Sequence, residues 1–179
     1  MHVEAYEYIE RTLALCESPV PALLELGSRE VFGPKVRDLA VASFYWGVDA
    51  EAGPGVDEVA NAADWSPPGV PNSLAVYAFD VVVCAEVFEH TPRWPEIVAN
   101  TFRVLRPGGR AIFTCAGPGR PVHGVGTDNP DDPAWYANVV PTELWSTMVR
   151  VGFVGVRTEL GVNVHGGGGH DTYGTGVKP

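Results

Sequence analysis

The sequence predicts a single α/β domain built on a parallel sheet, and three observations predict it. First, the apolar runs Ala22-Leu23-Leu24-Glu25-Leu26, Phe44-Tyr45-Trp46-Gly47-Val48, Asp80-Val81-Val82-Val83-Cys84 and Ala111-Ile112-Phe113-Thr114 alternate with helix-like segments. Apolar strands separated by helices belong to sheets covered on both faces. Second, three runs carry an acid at or beside the carboxyl end: Glu25, Asp49 and Glu86. Open parallel sheets bind ligands at that edge, so acids there point to a ligand with hydroxyls and positive charge. Third, Leu105-Arg106-Pro107-Gly108-Gly109-Arg110 stops one helix and launches the next strand, as Pro and Gly do at element boundaries.

The elements follow in order. Val3, Tyr6, Ile9, Leu13 and Cys16 recur at helical spacing, so a helix over 3–17 is expected within an N-terminal arm of 1–18. Ser18-Pro19-Val20-Pro21 ends it. Strand one covers 22–26. A short helix over 34–42 has Pro34 in its first turn. Strand two covers 44–48, and strand three is a short piece at 56–60. Residues 66–73 form a Pro/Gly-rich loop, with a short helix near 73–77. Strand four covers 80–84. Thr91 caps a helix over 92–105, with Pro92 at its first position. Strand five covers 110–115. Residues 117–140 make a long segment dense in Gly, Pro and Asp; segments of that length usually carry function or are disordered. A helix over 142–151 stops at Gly152, strand six covers 153–160, a glycine-rich turn covers 162–169, and a last strand covers 172–178.

At 179 residues with 45% hydrophobic and 19% charged content, the chain fits one globular domain with a real core. Its net charge of −10 argues against an extended nucleic-acid surface, because that affinity rests on Lys and Arg. The first residues have neither a basic region nor an apolar run, so no signal peptide is expected. No uncharged apolar stretch approaches a membrane span. Cys16, Cys84 and Cys115 show no CxxC spacing; buried reduced thiols and a cytoplasmic location are expected.

Taken in this order, these signals resemble the class I S-adenosylmethionine-dependent methyltransferases, over roughly Leu23 to Lys178. Glu89-His90 after strand four and the Leu-Arg-Pro-Gly-Gly stop carry the resemblance together. The first loop departs from the family's acidic-x-Gly-x-Gly-x-Gly pattern: Glu25 and Gly27 match, but Arg29 and Val31 stand where later glycines are expected. The run Glu-Leu-Gly-Ser-Arg looks like a branch of the family with a Gly-Ser-Arg loop. The resemblance implies a Rossmann-like, seven-stranded, mostly parallel sheet in the order 3-2-1-4-5-7-6, with an antiparallel last strand. It implies S-adenosyl-L-methionine as cofactor.

It also implies site residues. Gly27 and Ser28 form the first strand-to-helix turn, where backbone approaches the ligand. Asp49 accepts from the ribose hydroxyls. Asp64 meets the adenine amino group and Trp65 the ring, although Trp65 is equally readable as core. Glu25 and Glu86 face the methionine ammonium and the sulfonium side, or simply cap helix N-termini. Arg29 either holds the methionine carboxylate or pairs on the surface with Glu30 or Glu25; Arg37 reads as a solvated helix face. On the acceptor side, His90 and His123 are candidate general bases for an alcohol. Asp128, Asp131, Asp132, Trp135 and Tyr136 sit with His123 in the 117–140 segment, the expected acceptor lid. His165, His170 and Asp171 have no compelling three-ligand spacing, so no metal is expected. A nicotinamide Rossmann enzyme would want a fuller glycine fingerprint. The expected function is a methyltransferase acting on a small-molecule or carbohydrate-like acceptor at oxygen. The alternative is a catalytically degenerate fold serving as a binding or regulatory module with a protein partner.

Overall fold

β1 (Val20–Leu26), β2 (Ala42–Asp49), β3 (Glu58–Val59), β4 (Phe79–Ala85), β5 (Leu105–Ala116), β6 (Val154–Val162) and β7 (His170–Val177) form one sheet. This computed structural model describes residues 1–16, 19–39, 42–68, 78–123, 135–162, 164 and 168–179. The strand order is β3-β2-β1-β4-β5-β7-β6, as the resemblance implied. β1 pairs in parallel with both β2 and β4, and β4 with β5. β7 runs antiparallel to β5 and β6.

Alternation along the strands assigns the two faces, because successive side chains point to opposite sides. Leu24, Leu26, Val82, Cys84, Ala111 and Phe113 pack beneath α2 (Trp94–Val104) and α3 (Pro141–Val151). Leu23, Val81, Val83 and Ile112 pack beneath Ala5, Tyr8, Ile9 and Leu13 of α1 (Val3–Leu13). Both faces are thus apolar, which is why the strands read as unbroken hydrophobic runs. α2 buries Ile97, Val98, Thr101 and Val104 on one stripe; each fully buried aliphatic side chain contributes about 1.5–3 kcal/mol.

Several boundaries differ from the sequence expectation. α1 ends at Leu13, a turn early, and Ala14 to Cys16 continue as turn. The helix expected over 34–42 is a single 3-10 turn at Val36–Leu39. Gly33 is left-handed there, at φ +72°, and Arg37 leaves the sheet face to stack on the Tyr45 ring and pair with Asp57 at 2.6 Å. Arg37 thus stays on an exposed helical turn, held there by these two partners. α2 starts at Trp94, with Pro95 in its first turn; Thr91 Oγ1 accepts from the Arg93 N–H at 3.1 Å and shapes the lead-in turn instead of capping the helix. β5 begins at Leu105, so the Pro-Gly-Gly stop lies within the strand's span. α3 ends at left-handed Gly152 as expected. The helix expected near 73–77 lies outside the described residues. No helix among the described residues is long and apolar enough to cross a membrane.

Candidate active site at the carboxyl edge of the sheet

A cavity of about 470 Å³ opens at the carboxyl ends of β1, β2 and β4, within the size range of small-molecule sites. The parallel register brings the acids together: Glu25 lies beside Gly47 and Val83, while Asp49 ends β2 and Glu86 follows β4.

One side of the cavity belongs to β1 and β2. Gly27 has φ +84°, and a Cβ there would overlap Val87 Cγ2. Only glycine fits this turn without strain or displacement. The neighbouring Ser28 hydroxyl is buried with no hydrogen-bond partner among the described residues. Asp49 Oδ2 accepts from the Arg29 N–H and Oδ1 from the Glu51 N–H, both at 3.0 Å. Arg29 lines the cavity, but its guanidinium pairs with Glu51 rather than with Glu30 or Glu25. The Glu25 carboxylate is buried and accepts from the Tyr45 hydroxyl. Burial pushes Glu25 up to about 7, against the opposing pull of that hydroxyl.

The other side belongs to β4, β5 and the segments after them. Glu86 adopts φ +56°, the sole non-glycine residue at positive φ among those described. Such strain persists where the surroundings enforce it, and it clusters at functional sites. Glu86 Oε1 accepts from Thr114 Oγ1 at 3.2 Å; Oε2 lies 3.6 Å from the Arg120 guanidinium and 4.0 Å from His2 Nε2. Burial, then the charge of Asp171, raises its pKa to about 7, while Arg120 opposes the rise. Arg120 is itself buried and pairs with Asp171 at the start of β7, whose Oδ2 accepts from Tyr173 at 3.2 Å. A buried ion pair of this kind is costly to form and costlier to break on one side.

Glu89 lies beneath the cavity wall, fully buried, with no hydrogen bond to either carboxylate oxygen. Burial and then Glu86 hold its carboxyl well above the usual range; the N–H groups of Glu89 and Ala116 pull the other way without hydrogen-bond geometry. His90 and His123 line the cavity, their ring centroids 5.3 Å apart, and Tyr136 packs edge-on against both. Burial, then His123, lowers His90 to about 4, and burial also lowers His123. Both rings are neutral near pH 7.

Of the residues expected from the sequence, Glu25, Gly27, Ser28, Arg29, Asp49, Glu86, His90 and His123 all line this one cavity. Asp64 and Trp65 do not. Trp65 packs in the core against Phe79, because its large apolar ring gains more under α2 than at an open edge. Asp64 forms a two-point pair with Arg93, at 2.6 and 2.8 Å. Asn61 and Ala62 occupy that part of the cavity wall. Trp135 also lines the cavity, whereas Asp128, Asp131 and Asp132 lie outside the described residues. Sequence reasoning missed Tyr45, Arg120 and Asp171. None stands in a motif, and only the strand register brings them to the site.

The sequence profile of a methyltransferase domain matches residues 70–113. A probable S-adenosylmethionine-dependent methyltransferase of Mycolicibacterium smegmatis is 38% identical over 89 residues, covering 50% of this chain and 33% of that protein. The ubiquinone biosynthesis O-methyltransferase of Proteus mirabilis is 33% identical over 85 residues, covering 46% of this chain and 30% of that one. The chain thus spans about a third of the length of these relatives. In structure, the 1,6-didemethyltoxoflavin N1-methyltransferase of Burkholderia thailandensis superposes with a TM-score of 0.73 at 15% identity, over 99% of this chain and 79% of that one. A Listeria monocytogenes structure described as a methyltransferase superposes at 0.67 and 12% identity, over 99% of both chains. In strand order and fold the chain is similar to S-adenosylmethionine-dependent methyltransferases, and its sequence matches a methyltransferase domain over residues 70–113.

Proposed function

We propose that this chain, acting as one domain, is an S-adenosyl-L-methionine-dependent methyltransferase that modifies a small or carbohydrate-like acceptor at oxygen. The observation that carries the reading is the single cavity lined by Glu25, Gly27 and Asp49 on one side and by Glu86, His90 and His123 on the other. When bound, the cofactor supplies an electrophilic methyl group on a sulfonium, which is already a good leaving group.

The residues present fit that cofactor. Asp49 keeps lone pairs free beyond its two backbone donors and suits a ribose diol. Glu25 suits an ammonium. Gly27 admits close backbone approach, and the buried, unpartnered Ser28 hydroxyl calls for a polar ligand atom. Glu86 suits the positive sulfonium side. Asn61 and Ala62 line the wall where the resemblance implied Asp64 and Trp65. The chain's own work is then to align the acceptor and exclude water. An alcohol must also lose its proton, and the His90 and His123 imidazoles on the cavity wall are the groups placed to receive it. His123, Trp135 and Tyr136, all within 117–140, stand on that side, in keeping with an acceptor lid. The three free cysteines accord with a cytoplasmic setting.

Calorimetry with S-adenosylhomocysteine tests the reading. Folded protein should bind one equivalent; no detectable heat or stabilisation removes the cofactor. A second reading, a binding or regulatory module, draws on the first loop, where Arg29 and Val31 replace glycines and Arg29 is tied to Glu51. Silence in calorimetry together with capture of a stoichiometric protein partner would favour it. Transfer of labelled methyl to any small acceptor excludes it as the whole account.

A further inference from the structure

The sequence expectation of no metal considered only His165, His170 and Asp171. The fold assembles a different set from two separate segments. Glu89 Oε1 lies 4.0 Å from His90 Nε2 and 4.0 Å from His123 Nε2, and the three donor atoms fall within 4.8 Å of one another. Glu89 has no exposure and no hydrogen bond to either oxygen among the described residues. A buried carboxylate normally finds a partner or a metal. Arg120 does not serve, since it is engaged with Asp171 and Glu86.

A second, independent observation points the same way. His123 Nδ1 faces the Pro121 carbonyl at 3.2 Å. A carbonyl only accepts, so Nδ1 carries the hydrogen and Nε2 presents its lone pair toward Glu89 and His90. Orientation of a ligating imidazole by a carbonyl on its far nitrogen is the usual outer arrangement of metal sites. Tyr136 donates to the same carbonyl at 3.1 Å and braces the ring.

We propose that Glu89, His90 and His123 bind a divalent first-row cation at the acceptor end of the cavity, through one carboxylate and two imidazoles. Bonds of about 2.1 Å require the widest pair of donors to draw in by about an ångström. Two nitrogens and one oxygen suit manganese, iron, cobalt or zinc better than calcium. The remaining positions open into the cavity, where His90 and His123 form part of the wall. There the cation would take an acceptor oxygen and lower the pKa of its hydroxyl, the proton passing to solvent, since His90 and His123 as ligands no longer serve as bases. That use rests on the methyltransferase reading; the metal site itself does not.

The test uses the full chain, freed of metal with a chelator and titrated with Mn²⁺, Co²⁺ and Zn²⁺. One equivalent should bind, and Co²⁺ should give visible absorption bands of nitrogen ligation. Glu89→Gln and His123→Ala should each weaken binding about tenfold or more; His170→Ala, at the exposed start of β7, should leave it unchanged. Circular dichroism checks folding, and His123→Ala at the half-buried cavity wall remains informative if Glu89→Gln fails to fold. No binding of any of the three ions by folded protein overturns the site, as does unchanged affinity in both His90→Ala and His123→Ala. S-adenosylhomocysteine binding without metal binding overturns the site alone. Metal binding without S-adenosylhomocysteine binding supports the site and removes the methyltransferase reading.

Discussion

At the β1–β2 end of the cavity, the carboxylates already have donors: Asp49 takes two backbone N–H groups and Glu25 the Tyr45 hydroxyl. At the β4–β5 end, among the described residues, Glu89 has none and Glu86 only the Thr114 hydroxyl on one oxygen, although three histidines and an arginine stand nearby. The first end is held by local backbone geometry. The second is a set of charges and imidazoles brought together by distant segments and left partly unsatisfied. A preorganised end suits a ligand that is always the same, and an unsatisfied end suits one that completes the site on arrival.

The largest expected effect breaks the preorganised end. Gly27→Ala forces a side chain into a left-handed turn and into Val87, which should cost about 2–5 kcal/mol of stability in urea unfolding. A loss under about 0.5 kcal/mol would mean that the turn is not rigid. Next comes Glu25. Its folded pKa, about 7, lies above the ordinary 4.5, so the folded state holds the proton more tightly. That contribution is complete below about pH 4.5 and is lost as pH rises through 7, amounting to about 3 kcal/mol. The difference in stability between wild type and Glu25→Gln should follow that course between pH 4.5 and 7; a flat difference would show that Glu25 titrates normally. S-adenosylhomocysteine affinity, by contrast, should strengthen as Glu25 ionises opposite the ligand ammonium.

Asp49→Ala should weaken S-adenosylhomocysteine by about 1–3 kcal/mol through lost ribose hydrogen bonds and a loosened Arg29–Glu51 loop; unchanged affinity would mean that the diol sits elsewhere. The smallest effect separates the two ends. Tyr136→Ala should reduce turnover or acceptor affinity, yet shift cofactor affinity by less than about 1 kcal/mol. Equal losses in both would show that the ends are coupled rather than independent.

The same contrast explains what the sequence made legible. Glu25, Gly27, Asp49, Glu86 and His90 occur at strand ends in short local patterns, and all of them reach the cavity. The central strands β1, β4 and β5 were legible because they are apolar on both faces, whereas the strand order came from the family resemblance, since local periodicity cannot give it. Trp65 failed because a position just after β3 does not reveal whether a ring faces a ligand or the core. Arg120 and Asp171 were invisible, since their partnership depends on β7 lying against β5. The helix expected over 34–42 shrinks to one 3-10 turn because so short a segment offers few helical hydrogen bonds to offset nucleation.

The placement of β7 between β5 and β6 has a consequence in time. A chain emerging from the ribosome presents β1 through β6 before Asp171 exists, and a domain folds as a unit. Until β7 threads in, β5 and β6 cannot join, and Arg120 has no Asp171 to neutralise it. The charge balance of the cavity therefore waits on the last strand, and a chain cut short before Asp171 lacks both the closed sheet and the neutralised arginine.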